Sequence, residues 1–500
     1  MAQSASRHGT SLTRRASALA IGGMVDYVLQ FLTPMVLVRQ LSQSDVGDYR
    51  LVWLITLAVL PVFTLSLPQT LYYFLPGASA RDRLLVSSNT LWFHLGTGVL
   101  FVLLALTMLA TGTAQGNLLV LGRHFPWPIV FVAVWMSTVV FDTLPNASGD
   151  PAAQARFVIT MAVLRALTFI GAAMIWHTVG ALLIAMTAFA IAKNLAGVRY
   201  LRALHPHDGS GGLPLDWPLL RRQLSYGLPF GIASCLYILR MQTDQWVVAA
   251  RFSLEMFTLI SFAAVVQTVQ NLITQPVANA VLPLVRASVA GNRHAEAVDL
   301  LARAYSASAL ILLPILGLLY CTADELVQIA YTHRYAGAAP MMKIYLVAQV
   351  AGCFGAGQLL TTLNRGAASF WINLLTLGLA VAASLGGVAL FGLNGAPLGS
   401  SLACFAAESC ALWIVARALG TGVPALIGWS LSMRALAVVV AAATACELLA
   451  AQYAPAGVLG SLAFRTALYA MIVLALFELT RLRPAAITLV GNMLKRGAKA

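Results

Sequence analysis

Residues 225–252 read SYGLPFGIASCLYILRMQTDQWVVAARF. A bilayer span needs about 20 mostly apolar residues, and this run is long enough to be one. It nevertheless carries Arg240 and Asp244 near its middle, with Gln242, Thr243 and Gln245 around them. A charge in hydrocarbon is costly and is kept only where it faces protein, a partner or water. Arg240 and Asp244 are four residues apart, so on a helix they share a face and can pair. Two readings follow. The pair is a buried bridge that only joins two helices, or the helix lines a wet cavity that handles a charged solute.

Composition decides the class of protein around this run. The 500 residues are 60% hydrophobic and 10% charged, with a mean hydropathy of +0.83. Soluble domains are about 25% charged. The chain is therefore expected to be an all-α polytopic membrane protein, and soluble classes, nucleic-acid binders included, are excluded. The net charge of +14 sits in short gaps between apolar runs, which is the pattern of cytoplasmic loops. Apolar runs give about fourteen transmembrane helices. Two junctions are short: Trp176-His177-Thr178, and Gly392-Leu393-Asn394-Gly395. Fusing either pair would make a run of about 40 residues, about twice a bilayer's need, so the chain must turn at both.

With the N-terminus inside, 22 of the 31 Lys and Arg fall on the cytoplasmic side. Seven fall outside: Arg39, Arg50, Arg123, Arg251, Arg334, Lys343 and Arg465. Arg165 and Arg240 stay within spans. Both termini are expected in the cytoplasm. The apolar run 16–38 contains Asp26, Gln30 and Pro34 and is longer than a signal-peptide core, so it reads as a retained first span. Six cysteines lie inside apolar runs with no ligand spacing, so neither a metal nor a disulfide framework is expected.

The gap 199–223 divides the chain. A Gly/Ser turn cluster there precedes Leu215, Trp217, Leu219 and Leu220 beside Arg221 and Arg222, a short amphipathic segment suited to the membrane interface. The division is 1–198, a six-helix bundle; 199–223, the linker; 224–416, a second six-helix bundle; and 417–500, two additional C-terminal helices with a basic cytoplasmic tail. Pro61 and Pro68 on the second span match Pro276 and Pro283 on the eighth as P-x6-P. A six-span unit keeps its orientation when repeated, so the two bundles are expected to be pseudo-symmetric about the membrane normal.

Three polar stripes fall near the start of the two halves. Gly22, Asp26, Gln30 and Thr33 share a face of the first span. Ser234, Tyr237, Arg240 and Asp244 mark the seventh, and Gln267, Gln270, Asn271 and Thr274 the eighth. Each stripe alone reads as hydrogen bonding between packed helices. Three at corresponding places point to a shared aqueous cavity. Arg165 would snorkel or pair, and Glu408, Glu447 and Glu478 fit the interface or the centre equally. His94 reads as a hydrogen-bonded core histidine before a proton relay. No P-loop, G-x-S-x-G or HExxH occurs, and no outer gap can hold a catalytic domain. No enzymatic site and no cofactor is therefore expected.

The stretch Leu19–Tyr49, an apolar span followed by LVRQLSQSDVGDY, resembles the opening of the bacterial Wzx-type polysaccharide exporters. Val46-Gly47-Asp48-Tyr49 matches their VGxY, while Leu41-Ser42 departs from their Leu-Gly. That family lies in the multidrug/oligosaccharidyl-lipid/polysaccharide (MOP) superfamily. The resemblance implies a flippase in the bacterial inner membrane, moving an undecaprenyl-pyrophosphate-linked oligosaccharide from the cytoplasmic to the periplasmic leaflet by alternating access. Surface polysaccharide or exopolysaccharide biosynthesis is the process implied. The expected partners are this lipid-linked oligosaccharide, membrane lipids, a coupling proton or sodium ion, and other polysaccharide-assembly proteins. The candidate substrate-binding residues are Arg240, Asp244, Asp26, Gln30, Tyr237, Gln267, Asn271 and Thr274. Arg240 is the expected pyrophosphate clamp, with Asp244 orienting it. A peptidoglycan lipid-precursor flippase and a drug/cation antiporter of the superfamily are the near alternatives. A membrane-embedded polymerase or transferase, and a pure assembly scaffold, are the alternatives of other classes.

Overall fold

A computed structural model describes residues 2–204 and 212–483, and all regular structure among them is helical. The Gly/Ser cluster of the linker and the basic tail past Arg483 lie outside the described residues. The helices run in order as α1 (Ala2–Gln40), α2 (Gln43–Thr64), α3 (Ala80–Ala110), α4 (Trp127–Ala147), α5 (Pro151–Trp176), α6 (Val179–Ala203) and α7 (Trp217–Arg251). Then come α8 (Leu254–Ala290), α9 (His294–Cys321), α10 (Ala338–Leu360), α11 (Gly366–Phe391), α12 (Gly395–Ala418), α13 (Trp429–Tyr453) and α14 (Val458–Leu479).

Thirteen helical stretches among the described residues are long and apolar enough to cross a membrane. One of them, 366–418, is α11 and α12 folded on each other, so the fourteen expected segments are present. The turn falls at Gly392, where φ is 61°. Small residues make this hairpin. Thr376, Ala380 and Ser384 of α11 are buried, as are Gly395, Gly399 and Ala403 of α12. A Cβ on Gly395 would run into the Gly387 carbonyl, and Ser384 Oγ donates to the Ala396 carbonyl at 3.1 Å. Small side chains let membrane helices approach until their backbones touch. The other expected turn, between α5 and α6, forms at His177 (φ 51°), and Thr178 caps α6 through the Ala181 N–H.

The chain forms two compact units, residues 1–242 with 253–258, and residues 243–252 with 259–500. In the first, α4 packs on α2, α3 and α6, and α5 packs on α6 and α1. In the second, α10 packs on α8, α9 and α12, and α11 packs on α12. Four pairings thus recur six helices later.

The matched prolines do not have matched structures. In α8 both Pro276 and Pro283 sit inside the helix Gln267–Ala290. In the first copy α2 ends at Thr64, Leu65 and Ser66 both adopt left-handed backbone (φ 48° and 55°), and Pro68 opens a new short helix, Leu67–Phe74. Non-glycine residues take this conformation only where the surroundings hold them there. Here α7 does so. A Cβ on its Gly231 would lie 2.6 Å from the Leu65 carbonyl carbon, and one on Gly227 3.0 Å from Thr70 Cγ2. The P-x6-P match is therefore one of sequence only, and the glycines that brace the break are not part of it.

The linker also departs from expectation. Residues 213–216 do not lie free at the interface but are strapped along α3. Ser88 Oγ donates to the Pro214 carbonyl (2.5 Å), Asn89 Nδ2 to that of Asp216 (3.0 Å), and Trp92 Nε1 to that of Leu213 (2.9 Å). The Asp216 N–H returns a bond to Asn89 Oδ1 at 2.8 Å. Leu220 is buried, and Leu213 and Leu219 pack on a core of Leu71, Leu84, Val140 and Leu144. Only Leu215 and Trp217 of the apolar set remain exposed. The reason is competition: α3 offers a row of polar side chains that the linker backbone can satisfy.

Several charges assigned to loops or span ends are paired, and one of them is buried. Lys193, counted above with the cytoplasmic residues, is buried within α6, reaches Asp142 at 2.8 Å and lies over the Trp135 ring. Lys343 reaches Asp324 at 2.7 Å. Arg465 on α14 reaches Glu325 at 2.9 Å and Glu447 on α13 at 2.7 Å, and donates to the Cys321 carbonyl. These contacts fasten α13 and α14 to the end of α9.

Candidate functional site

In the first unit, Asp26 on α1 accepts from Arg165 on α5 at 2.7 Å and from Gln30 at 2.8 Å. Arg165 therefore pairs rather than snorkels, and it neutralises the acidic residue of the first stripe. The α1–α5 contact that brings them together is close: a Cβ on Gly22 would sit 3.4 Å from the Ala155 carbonyl.

Arg240 lies on α7, only 4% exposed. Its guanidinium carbon is 5.4 Å from the centre of the Tyr237 ring, and its Nε has no hydrogen-bond partner. Among the described residues no carboxylate lies within ion-pair distance of it. The expected bridge to Asp244 does not form. Asp244, fully buried, accepts instead from the hydroxyls of Tyr345 and Ser400 (2.6 Å for the latter) and from the Gln245 N–H (2.8 Å). Spacing of four permits a bridge along a helix but does not require one. Hydroxyl donors from α10 and α12 occupy the carboxylate here, so Asp244 does not orient Arg240.

In the second unit, the polar stripe of α8 is present and part-exposed. Asn271 is exposed, Gln267 and Thr274 are half-buried, and Thr274 Oγ1 donates to the Gln270 carbonyl at 3.1 Å. Gln270 packs over Gly352 of α10. The structure thus joins Asp26 to Gln30 and Tyr237 to Arg240, and it links Asp244 to none of the other candidates. Arg165, Tyr345 and Ser400 complete these clusters. Only Arg165, a lone charge inside a span, carried a signal in the sequence. His94 is buried with Nδ1 2.6 Å from the Thr90 carbonyl, a core histidine.

The VGxY motif has a structural role. A Cβ on Gly47 would come within 2.9 Å of Thr258 Oγ1 and 3.1 Å of Leu254 Cδ1. Asp48 is buried and binds Arg123 at 2.8 Å and His124 at 2.9 Å, tying the segment before α4 to the start of α2.

Among solved structures, a lipid II flippase MurJ in an inward closed conformation is similar, with a TM-score of 0.67 at 10% identity, over 92% of this chain and 98% of that one. An inward-facing multidrug resistance MATE transporter of the MOP superfamily gives 0.64 at 16% identity, over 78% and 94%. A MOP-superfamily transporter from Pyrococcus furiosus gives 0.53 at 14% identity, over 83% and 97%. The chain has the MOP-superfamily fold. Residues 150–340 match a family model described as "Polysaccharide biosynthesis protein". No curated protein matches the chain. The fourteen segments are laid out on this fold, and the MOP resemblance read from Leu19–Tyr49 agrees with it.

Proposed function

We propose that the protein is a flippase that moves an undecaprenyl-pyrophosphate-linked oligosaccharide across the bacterial inner membrane by alternating access. The observation that carries this reading is Arg240, buried on a span with no carboxylate within ion-pair distance among the described residues. An arginine cannot shed its proton at any accessible pH, so its charge needs an anion from elsewhere. A pyrophosphate suits it because the guanidinium fork binds phosphate oxygens in two-pronged fashion. The family match at residues 150–340 supports a glycan of polysaccharide assembly over a peptidoglycan precursor, which shares the pyrophosphate. A cation antiporter is disfavoured because Asp26, an acidic residue that could bind such a cargo, is paired with Arg165. Tyr237, Gln30, Asn271, Gln267 and Thr274 are assigned to substrate contact. Asp244, held by the Tyr345 and Ser400 hydroxyls and the Gln245 N–H, is assigned to coupling by a proton or sodium ion.

Both termini are placed in the cytoplasm by the basic residues, so reporters fused after 204 and after 480 should both read cytoplasmic. A periplasmic signal from either refutes that orientation. The deciding test of function is a deletion strain. Lipid-linked repeat units should accumulate on the cytoplasmic leaflet and surface polymer should be lost. Normal polymer with altered drug tolerance would favour the antiporter.

A further inference from the structure

The first unit carries a row of aromatic rings that stay well exposed. Tyr73 (61% exposed) stacks on Tyr226 with centroids 4.4 Å apart and planes 18° apart. Tyr226 meets Phe230 (54% exposed) at 5.9 Å. Tyr237 (47% exposed) follows two turns on, with Arg240 over its ring. At 100° per residue, Tyr226, Phe230, Tyr237 and Arg240 fall within about 80° of one another on α7. Tyr72, beside Tyr73, holds its hydroxyl against Asn146 Nδ2 at 3.1 Å. Rings in an interfacial belt sit at one depth, the headgroup level. This row instead runs along the helix axis, about 17 Å from Tyr226 to Tyr237 at 1.5 Å per residue. It ends at the buried Arg240, whose Nε has no hydrogen-bond partner.

We propose that this row is the sugar-binding track of the flippase, with the glycan's pyranose rings stacking on Tyr73, Tyr226, Phe230 and Tyr237 while Arg240 holds the pyrophosphate. The inference rests on the proposed function. Aromatic faces carry negative charge density, and the slightly positive C–H face of a pyranose is complementary to them. An acyl chain has no such preference for rings over leucines. Spacing along one helix face lets several sugars bind at once, and stacking tolerates differences in hydroxyl pattern.

The test uses the full-length protein in nanodiscs and two probes: undecaprenyl pyrophosphate alone, and lipid-linked oligosaccharides extracted from the deletion strain. The variant Tyr226→Leu/Phe230→Leu keeps apolar volume and removes two rings. It should bind the extracted glycolipid about tenfold more weakly, the sum of two modest ring contacts, and bind the bare lipid like wild type. Tyr226→Phe/Phe230→Tyr should bind both probes normally and restore export, which separates lost rings from a misfolded chain. Unchanged glycolipid binding and normal export by the leucine variant would overturn the track and leave the flippase reading standing. If wild type binds neither probe and the deletion strain accumulates no lipid-linked glycan, the flippase reading falls and the track with it.

Discussion

Arg240→Ala should abolish export while the protein remains in the membrane at its normal level. The substitution removes the buried charge beside Tyr237. Truncating a buried group that meets a charged partner costs about 3 kcal/mol, which is about 100-fold in binding. Arg240→Lys should rescue only in part, because an ammonium keeps the charge but loses the fork. Asp244→Asn should behave differently, since Asp244 is bonded to Tyr345 and Ser400 and not to Arg240. Its loss should alter the dependence of transport on proton or sodium gradients and leave pyrophosphate-lipid binding intact. The double variant Arg240→Met/Asp244→Leu replaces both buried charges with apolar side chains, a change that a purely structural role would tolerate. Export by that variant should stay lost. Normal export from it would rule out a role for Arg240 in holding the substrate.

Arg465→Ala should lower thermal stability more than any other single charge change in the second unit. Arg465 is 15% exposed in its side chain and lies between Glu325, 9% exposed, and Glu447, 31% exposed. Ser461 adds a 2.6 Å bond to Glu325. Removing the cation leaves two carboxylates facing each other with only Lys343 near Glu447, at 3.6 Å. Breaking a buried ion pair from one side costs about 3–5 kcal/mol. The unfolding midpoint in detergent should fall by several degrees, and protease should gain access to the segment 419–428 between α12 and α13. Neutralising the partners as well, with Glu325→Gln and Glu447→Gln, should recover much of the loss. An unchanged midpoint for Arg465→Ala would show that packing alone holds α13 and α14 in place.

The sequence made the number and positions of the spans legible, because hydrocarbon imposes length and composition on every one. The turn at Gly392 was legible for the same reason: no single helix of that length suits a bilayer. Partners were harder. Arg240 and Asp244 announced themselves as charges in a span, yet their spacing suggested each other. The actual acceptor sites of Asp244 are served by Tyr345 and Ser400, 101 and 156 residues away. Single polar residues at such separations leave no local pattern. Lys193 and Arg465 sat near span ends, where basic residues are common, so burial could not be read from position. The break at Leu65-Ser66 was hidden because neither residue is a glycine or a proline. What stabilises it is Gly231, on a helix far along the chain.

The strap along α3 has an asymmetric consequence for how this protein can vary. Ser88, Asn89 and Trp92 contribute side chains, whereas Leu213, Pro214 and Asp216 contribute only main-chain atoms to those bonds. Every amino acid supplies the same carbonyl. These bonds thus leave Pro214 and Leu215 free to drift in identity, whereas Leu213 also packs on the core and the Asp216 carboxylate also accepts from the Leu219 N–H at 2.9 Å at the start of α7. A foreign linker that kept Leu213 and Asp216 would dock on an unaltered α3. The native linker would lose its mooring if Ser88, Asn89 and Trp92 were exchanged for alanine, so the address of the connection is written more on the helix than on the connector.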